Sequence, residues 1–167
     1  MVAGSFDGNG RLSLEVAITV MAINAPRLRL WLGASSGWEA RRGLYDAQTN
    51  ITVNIGYVGN EKEGPSASAC AVVALAVVLG NAKLVGRLGV TGIVDLRGRI
   101  RLIGGLMEKM EQAREQKLEI VVVPMVNLQI LEEDGYKGWP NDLRDYAKRV
   151  TRGASNIVEL LGHTIEG

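Results

Sequence analysis

Hydrophobic and polar residues alternate in three stretches of the first part of the chain, and this alternation predicts β-strands with two unlike faces. The three stretches lie at 12–20, 28–32 and 51–57. Between the last two, a charged segment at 38–48 holds few strand-forming residues and predicts a short helix. A polar loop at 59–65 follows the third predicted strand.

The central part of the chain begins with an apolar segment at 66–79 that consists almost wholly of Ala, Val and Leu. Because this segment is long for a strand, it predicts a buried helix with Ser66 at its amino end and a stop at Gly80-Asn81. Strands at 94–96 and 99–103 are expected to form a hairpin that turns at Arg97-Gly98.

The remaining elements mix helices and strands. We predict a helix at 106–117 after Gly104-Gly105, a buried strand at 118–123 that ends at Pro124, a short helix at 126–133 and a final strand at 148–151. A last helix begins at Asn156, where Asn156 and Glu159 fit a capping box. Strict β–α–β alternation is absent, so we expect an α+β fold of mixed sheets with packed helices, in a single domain that spans 1–167.

Composition narrows the function classes. Apolar residues make up 47% and charged residues 22% of the chain, and the net charge is +1. These values are ordinary for a soluble globular protein and give no electrostatic reason to expect nucleic acid or an anionic membrane as partner. The longest apolar run, 69–79, is too short to span a bilayer, and the amino terminus does not read as a signal peptide. One cysteine excludes an internal disulfide, and a cytoplasmic location is expected.

Candidate chemistry centres on Ser66 and Lys109. A serine hydroxyl is a weak nucleophile until a neighbouring base removes its proton, and the usual base is histidine. The single histidine, His163, lies near the end of the chain. A lysine can serve instead when its surroundings favour the neutral amine. Lys109 follows a Gly-Gly turn in the first turn of its predicted helix, where the helix dipole disfavours a cation.

Ordinary structural roles compete with these interpretations. Serine is a favoured helix N-cap, and a lysine on a helix is usually solvated. Cys70, one helical turn after Ser66, has apolar neighbours that predict a buried structural cysteine. His163 is expected to be a packing or surface residue. One cysteine and one histidine also argue against a structural zinc site.

Four short motifs occur in a fixed order along the chain. They are Gly64-Pro65-Ser66-Ala67, Thr91-Gly92, Leu96-Arg97-Gly98 and Ile103-Gly104-Gly105-Leu106-x-Glu108-Lys109. Their order and spacing resemble the proteolytic domain of the Lon peptidase family, densely over 63–124 and more loosely elsewhere. Three residues depart from that family's pattern: Ser68 replaces a usual glycine, Ile93 a common acidic residue and Met107 a frequent lysine.

The resemblance implies a serine endopeptidase with a Ser-Lys dyad that works through an acyl-enzyme and needs no metal or organic cofactor. Ser66 is then the nucleophile and Lys109 the base. Thr91 orients the lysine, and Glu63 engages it. The turn residues Gly64, Pro65 and Ala67 surround the candidate oxyanion site at the helix start.

The implied partners are unfolded or flexible protein substrates and further copies of the chain in a hexameric ring. Most of the family couples this domain to an AAA+ ATPase, yet the chain has no Gly-x-x-x-x-Gly-Lys-Ser/Thr pattern. It is therefore expected to be an excised domain, a stand-alone peptidase, or a peptidase that borrows a motor. Two other functions stay open: a catalytically inert Lon-like scaffold of a larger ATPase, and a viral polyprotein-processing Ser-Lys protease. The presence of both Ser66 and Lys109 argues against the inert scaffold.

Overall fold

The structure is a computed structural model, and it describes residues 15–21, 23–24, 65–80 and 82–166. The strands predicted at 28–32 and 51–57, the helix at 38–48, nearly all of the loop at 59–65, and the site residues Glu63 and Gly64 lie outside the described residues.

The described elements begin with helix α1 at 15–21 and 23–24. A 3₁₀ turn, Pro65–Ala67, leads into the first of the later elements, which are α2 (Ser68–Gly80), β1 (Leu88–Val90), β2 (Ile93–Val94), β3 (Ile100–Arg101), α3 (Leu106–Glu115), β4 (Ile120–Pro124), α4 (Met125–Glu133), α5 (Asn141–Val150), β5 (Thr151–Ala154) and α6 (Ile157–Thr164).

Within the described residues, a three-stranded parallel sheet forms the centre, with β4 between β1 and β5. Val90 pairs with Val122, and Val121 pairs with Thr151. Strand β4 reads as an almost unbroken apolar run because, as a central parallel strand, it is covered on both faces. Strands β2 and β3 form a separate antiparallel hairpin. Parallel and antiparallel pairs therefore coexist, and the predicted α+β class is confirmed.

The core formed by the described residues consists of two clusters on opposite faces of this sheet. Val122 and Ala154 pack with residues of α1, α2 and α6 on one face. Val121 and Val123 pack with residues of α3 and α5 on the other. Successive side chains of a strand point to opposite faces, which is how β4 contributes to both clusters. Helix α2, which follows Ser66, therefore packs on one face of the sheet, and helix α3, which contains Lys109, packs on the other.

Two predicted strands are wrong in whole or in part. Residues 15–21 form a helix and not a strand, because the fully buried residues Ala17, Val20 and Met21 recur at helical spacing. The predicted strand at 148–151 begins only at Thr151, since residues 148–150 form the last turn of α5. Helix α5 buries Leu143, Tyr146, Ala147 and Val150, again at helical spacing. Helix α5 and strand β1 were not predicted.

The other described elements agree with their predictions to within a few residues. The N-cap of α6 is Asn156, whose Oδ1 accepts from the amides of Val158 and Glu159 at 3.0 and 3.1 Å. The Glu159 carboxylate in turn accepts a hydrogen bond from the amide of Ser155 at 2.8 Å, one residue before the cap. The hairpin between β2 and β3 is closed by Asp95, which accepts from the amides of Arg97 and Arg99.

Candidate active site

Ser66 lies in the 3₁₀ turn that leads directly into helix α2. Proline suits the start of such a turn, because its ring fixes φ and its missing N–H would have no partner there. The Ser66 side chain is partly exposed, and its hydroxyl forms no hydrogen bond with any described residue. Its backbone carbonyl accepts from the Gly92 amide at 3.0 Å. Ser66 therefore has a fixed backbone, and a hydroxyl with no partner among the described residues, at the positive end of an apolar helix.

Ser68 fixes this turn from inside the protein. Its side chain is fully buried, and its Oγ accepts from the Val94 amide at 2.8 Å. The Ser68 hydroxyl donates to the Pro65 carbonyl at 3.0 Å, with the Gly92 carbonyl at 3.3 Å as a second acceptor. Gly92 also accepts from the Ala69 amide at 3.1 Å. The start of α2 and the segment at 91–94 are thus held together by hydrogen bonds.

The close approach of these two segments requires glycine at position 92. A Cβ at Gly92 would lie 2.7 Å from Ile100 Cγ2 and 3.3 Å from Ala69 Cβ. Thr91, the residue before it, donates its amide to the Val122 carbonyl at 3.0 Å and so continues the pairing of β1 with β4. The Thr91-Gly92 motif therefore lies directly against the turn that carries Ser66.

Lys109 lies in the first turn of helix α3 with an exposed side chain. Its Nζ donates to the Gly104 carbonyl at 3.3 Å, and its amide donates to the Gly105 carbonyl at 3.2 Å. Gly105 has φ of +63°, in the left-handed region where a residue with a Cβ is strained. The Gly104-Gly105 turn thus provides both the start of α3 and the hydrogen-bond acceptor for Lys109 Nζ.

The buried amide of Asn127, on helix α4, holds the residue before this turn. Asn127 Oδ1 accepts from the Ile103 amide at 3.0 Å, and Nδ2 donates to the Ile103 carbonyl at 2.9 Å. Both backbone groups of Ile103 are therefore satisfied by one side chain, in the way that a neighbouring strand would satisfy them.

The predicted site residues fall into two groups. One group lies where α2 starts and consists of Pro65, Ser66, Ala67 and Thr91. The other is Lys109, whose Nζ donates to the Gly104 carbonyl. Among the described residues, no hydrogen bond joins Lys109 to Ser66 or to Thr91. Catalytic hydrogen bonds are often long in the absence of substrate, and the lysine side chain is long and flexible.

Cys70 is exposed, so its prediction as a buried residue is wrong. Cys70, Ala74 and Val78 are all exposed at a spacing of four residues, which places them on the outer face of α2. Neighbouring protein atoms nevertheless desolvate the thiolate, and this burial raises the pKa of the Cys70 thiol. His163, in α6, has its Nε2 3.1 Å from the Gly153 carbonyl, which is a packing role.

Two features are absent from the described ranges. No three His, Cys, Asp or Glu side chains there are grouped so that they could hold a metal ion. No helix in that part of the chain is long and apolar enough to cross a membrane.

Comparison with known proteins identifies the family. The model of the Lon protease (S16) C-terminal proteolytic domain matches residues 33–162. The chain belongs to this Lon proteolytic-domain family. The Lon protease of Haemophilus influenzae is 28% identical over 163 residues, which are 98% of this chain and 18% of that protein. Lon protease 2 of Sorangium cellulosum is 32% identical over 119 residues, 71% of this chain and 14% of that protein. The chain thus spans a small part of these relatives.

The structure of this Lon domain adds two residues that the sequence interpretation did not place in the site. Ser68 stood out only as a departure from the family pattern, although it bonds both segments around Ser66. Asn127 was not singled out, because an asparagine within a short helix gives no sequence signal of a backbone partner on a distant loop. The polar character of a buried position is visible only once the helix is packed.

Proposed function

We propose that this chain is a serine endopeptidase domain in which Ser66 is the nucleophile and Lys109 the general base. The observation that carries the proposal is the state of Ser66: its backbone is fixed by Gly92, and its hydroxyl has no partner among the described residues. A serine that served only as a helix cap would direct its Oγ to an amide of the helix. Membership of the Lon family supports the same activity.

The chemistry follows from the placement of these groups. Neutral Lys109 accepts the proton as Ser66 Oγ attacks the carbonyl carbon of the scissile peptide bond. The C–N bond then breaks, and the protonated lysine gives its proton to the leaving amine. Water attacks the resulting ester in the second half of the reaction, with Lys109 again as base. The ester then breaks, and Ser66 recovers its proton.

The amide groups of the 3₁₀ turn would stabilise the oxyanion. Pro65 has no N–H, so the Ser66 and Ala67 amides are the candidate donors on this turn. The Lys109 amine donates to the Gly104 carbonyl in the structure, and the proposal requires it to turn towards Ser66 when substrate is bound. Thr91, beside the Ser66 turn, is proposed to orient the arriving amine, and Glu63 to engage it.

We further propose that the chain is one proteolytic domain that acts on unfolded or flexible protein substrates. A peptidase site can act on a segment that reaches it in extended form, and the sequence contains no Gly-x-x-x-x-Gly-Lys-Ser/Thr motif that would indicate a motor to unfold substrates. The Lon family suggests a parent or partner ATPase and a ring of identical subunits, and both are part of the proposal.

Covalent labelling tests the proposal. The chain is treated with a fluorophosphonate or a peptide boronate, and its intact mass is measured before peptide mapping. We expect a single adduct on Ser66, none on Ser66→Ala, and unchanged labelling of the control Ser155→Ala, which alters an exposed serine. An adduct on another residue, or equal labelling of Ser66→Ala, would contradict the assignment. No labelling of the wild-type chain would favour the inert scaffold.

A further inference from the structure

Asn127 is a buried polar side chain that lies outside the proposed Ser66–Lys109 dyad. It is 8% exposed, and its amide forms two hydrogen bonds with a single residue, Ile103. Burying an amide is costly unless its donor and acceptor are both satisfied. The two bonds therefore fix Ile103 to helix α4, because a displacement of Ile103 would leave both the Oδ1 acceptor and the Nδ2 donor of Asn127 without partners.

Ile103 is the last fixed residue before the turn that carries the base. Gly104 is exposed, and a Cβ there would meet nothing within 4 Å, so the space on its side-chain face is open. Gly105 adopts a left-handed conformation. Glycine has wide conformational freedom, and the path of a two-glycine segment is set by its ends. One end is Ile103, and the other is the start of α3.

The position of Lys109 Nζ depends on the same turn. Its Nζ bonds the carbonyl of Gly104, the residue that follows Ile103. A continuous series of contacts thus runs from the Asn127 amide through the Ile103 and Gly104 backbone to Lys109. No comparable contact links Asn127 to the Ser66 turn among the described residues, since that turn is bonded to Gly92 and Ser68.

We propose that Asn127 is a positioning residue for Lys109. By holding Ile103 in place, it positions the Gly104 carbonyl and the first turn of α3, which together orient the Lys109 amine used in the proposed function. The inference rests on the proposed function and adds a residue of a different helix to it. A merely structural asparagine would affect folding stability, whereas a positioning residue affects catalysis only while the lysine is present.

A double-mutant cycle separates these two roles. The rate of Ser66 labelling by a fluorophosphonate is measured for the wild type, Asn127→Ala, Lys109→Ala and the double variant. We expect Asn127→Ala to lower the rate by about 10²-fold, the cost of a displaced catalytic group. In the Lys109→Ala background the same change should alter the rate by less than about two-fold, because coupled residues are not additive.

Two further variants serve as controls. Gln129→Ala removes an exposed amide from the same helix and should label at the wild-type rate. Asn127→Asp keeps the shape and the acceptor for the Ile103 amide but loses the donor to its carbonyl, so it carries the test if Asn127→Ala does not fold. On a peptide substrate, both Asn127 variants should lower kcat and leave KM unchanged.

The possible failures are distinguishable. Equal losses from Asn127→Ala with and without Lys109, or wild-type labelling of a folded Asn127→Asp and Asn127→Ala, would overturn this inference and leave the proposed function intact. A wild-type chain in which Ser66 is never labelled would overturn both.

Discussion

The Val94 amide donates a hydrogen bond to Ser68 Oγ at 2.8 Å, which joins the first residue of helix α2 to strand β2. Both groups are buried. Because the Ser68 hydroxyl also donates to the Pro65 carbonyl, one buried oxygen connects the Ser66 turn to the hairpin. The residue that departs from the family's usual glycine is therefore built into the support of the proposed nucleophile.

Ser68→Ala should destabilise the fold. The substitution leaves the buried Val94 amide without its acceptor, and an unsatisfied buried donor costs about 1–3 kcal/mol. Denaturant unfolding measures the difference, with Ser155→Ala as the exposed control. A free energy of unfolding equal to that of the wild type would show that Val94 finds another partner.

Lys109→Arg should be inactive. Arginine stays protonated and cannot accept the proton of Ser66. The matched control is Lys83→Arg, at an exposed lysine outside the proposed site. An active Lys109→Arg chain would be evidence for a different base.

Cys70 should be dispensable and slow to react. Burial raises the pKa of its thiol, so the thiolate is scarce at neutral pH even though the side chain is exposed. Alkylation by iodoacetamide should therefore be slow at pH 7 and accelerate as pH rises towards that elevated pKa. Cys70→Ser should retain wild-type peptidase activity. Loss of activity in a folded Cys70→Ser chain would contradict this expectation and point to a role for the thiol in the reaction.

The fold could be predicted from sequence where the pattern was long or had distinctive ends. The apolar length of α2 and the glycines before α3 placed both helices correctly. At 15–21, a short stretch fitted both periods, and only packing of Ala17 and Met21 against the core decides for a helix. Strand β1 has only three residues, Leu88–Val90, and its identity comes from pairing with β4, which no local pattern reveals.

The candidate site also contains residues that the sequence could indicate and residues that only the fold reveals. Ser66 and Lys109 lie in glycine-rich motifs whose turn geometry is local, so the sequence could indicate them. The bonds of Asn127 to Ile103 join residues far apart in the chain, and they arise from the packing of α4 beside the glycine turn. Such tertiary contacts are fixed by the fold as a whole and leave no periodic signature.

Cleavage of unfolded proteins should not require ATP. The chain contains no phosphate-binding motif, so a disordered protein such as casein should be degraded equally with and without nucleotide. A stable folded protein should resist in both conditions. ATP-stimulated destruction of the folded substrate by this chain alone would reveal a motor activity that the sequence does not indicate.

The central claim is that Ser66 performs the peptide hydrolysis, and the most direct measurement compares the wild type with Ser66→Ala on a fluorogenic peptide and on casein. The loss should be about 10³-fold or more, as for the removal of other catalytic nucleophiles, with the circular dichroism spectrum and Tm close to those of the wild type. Hydrolysis at the wild-type rate by a correctly folded Ser66→Ala chain would contradict the account.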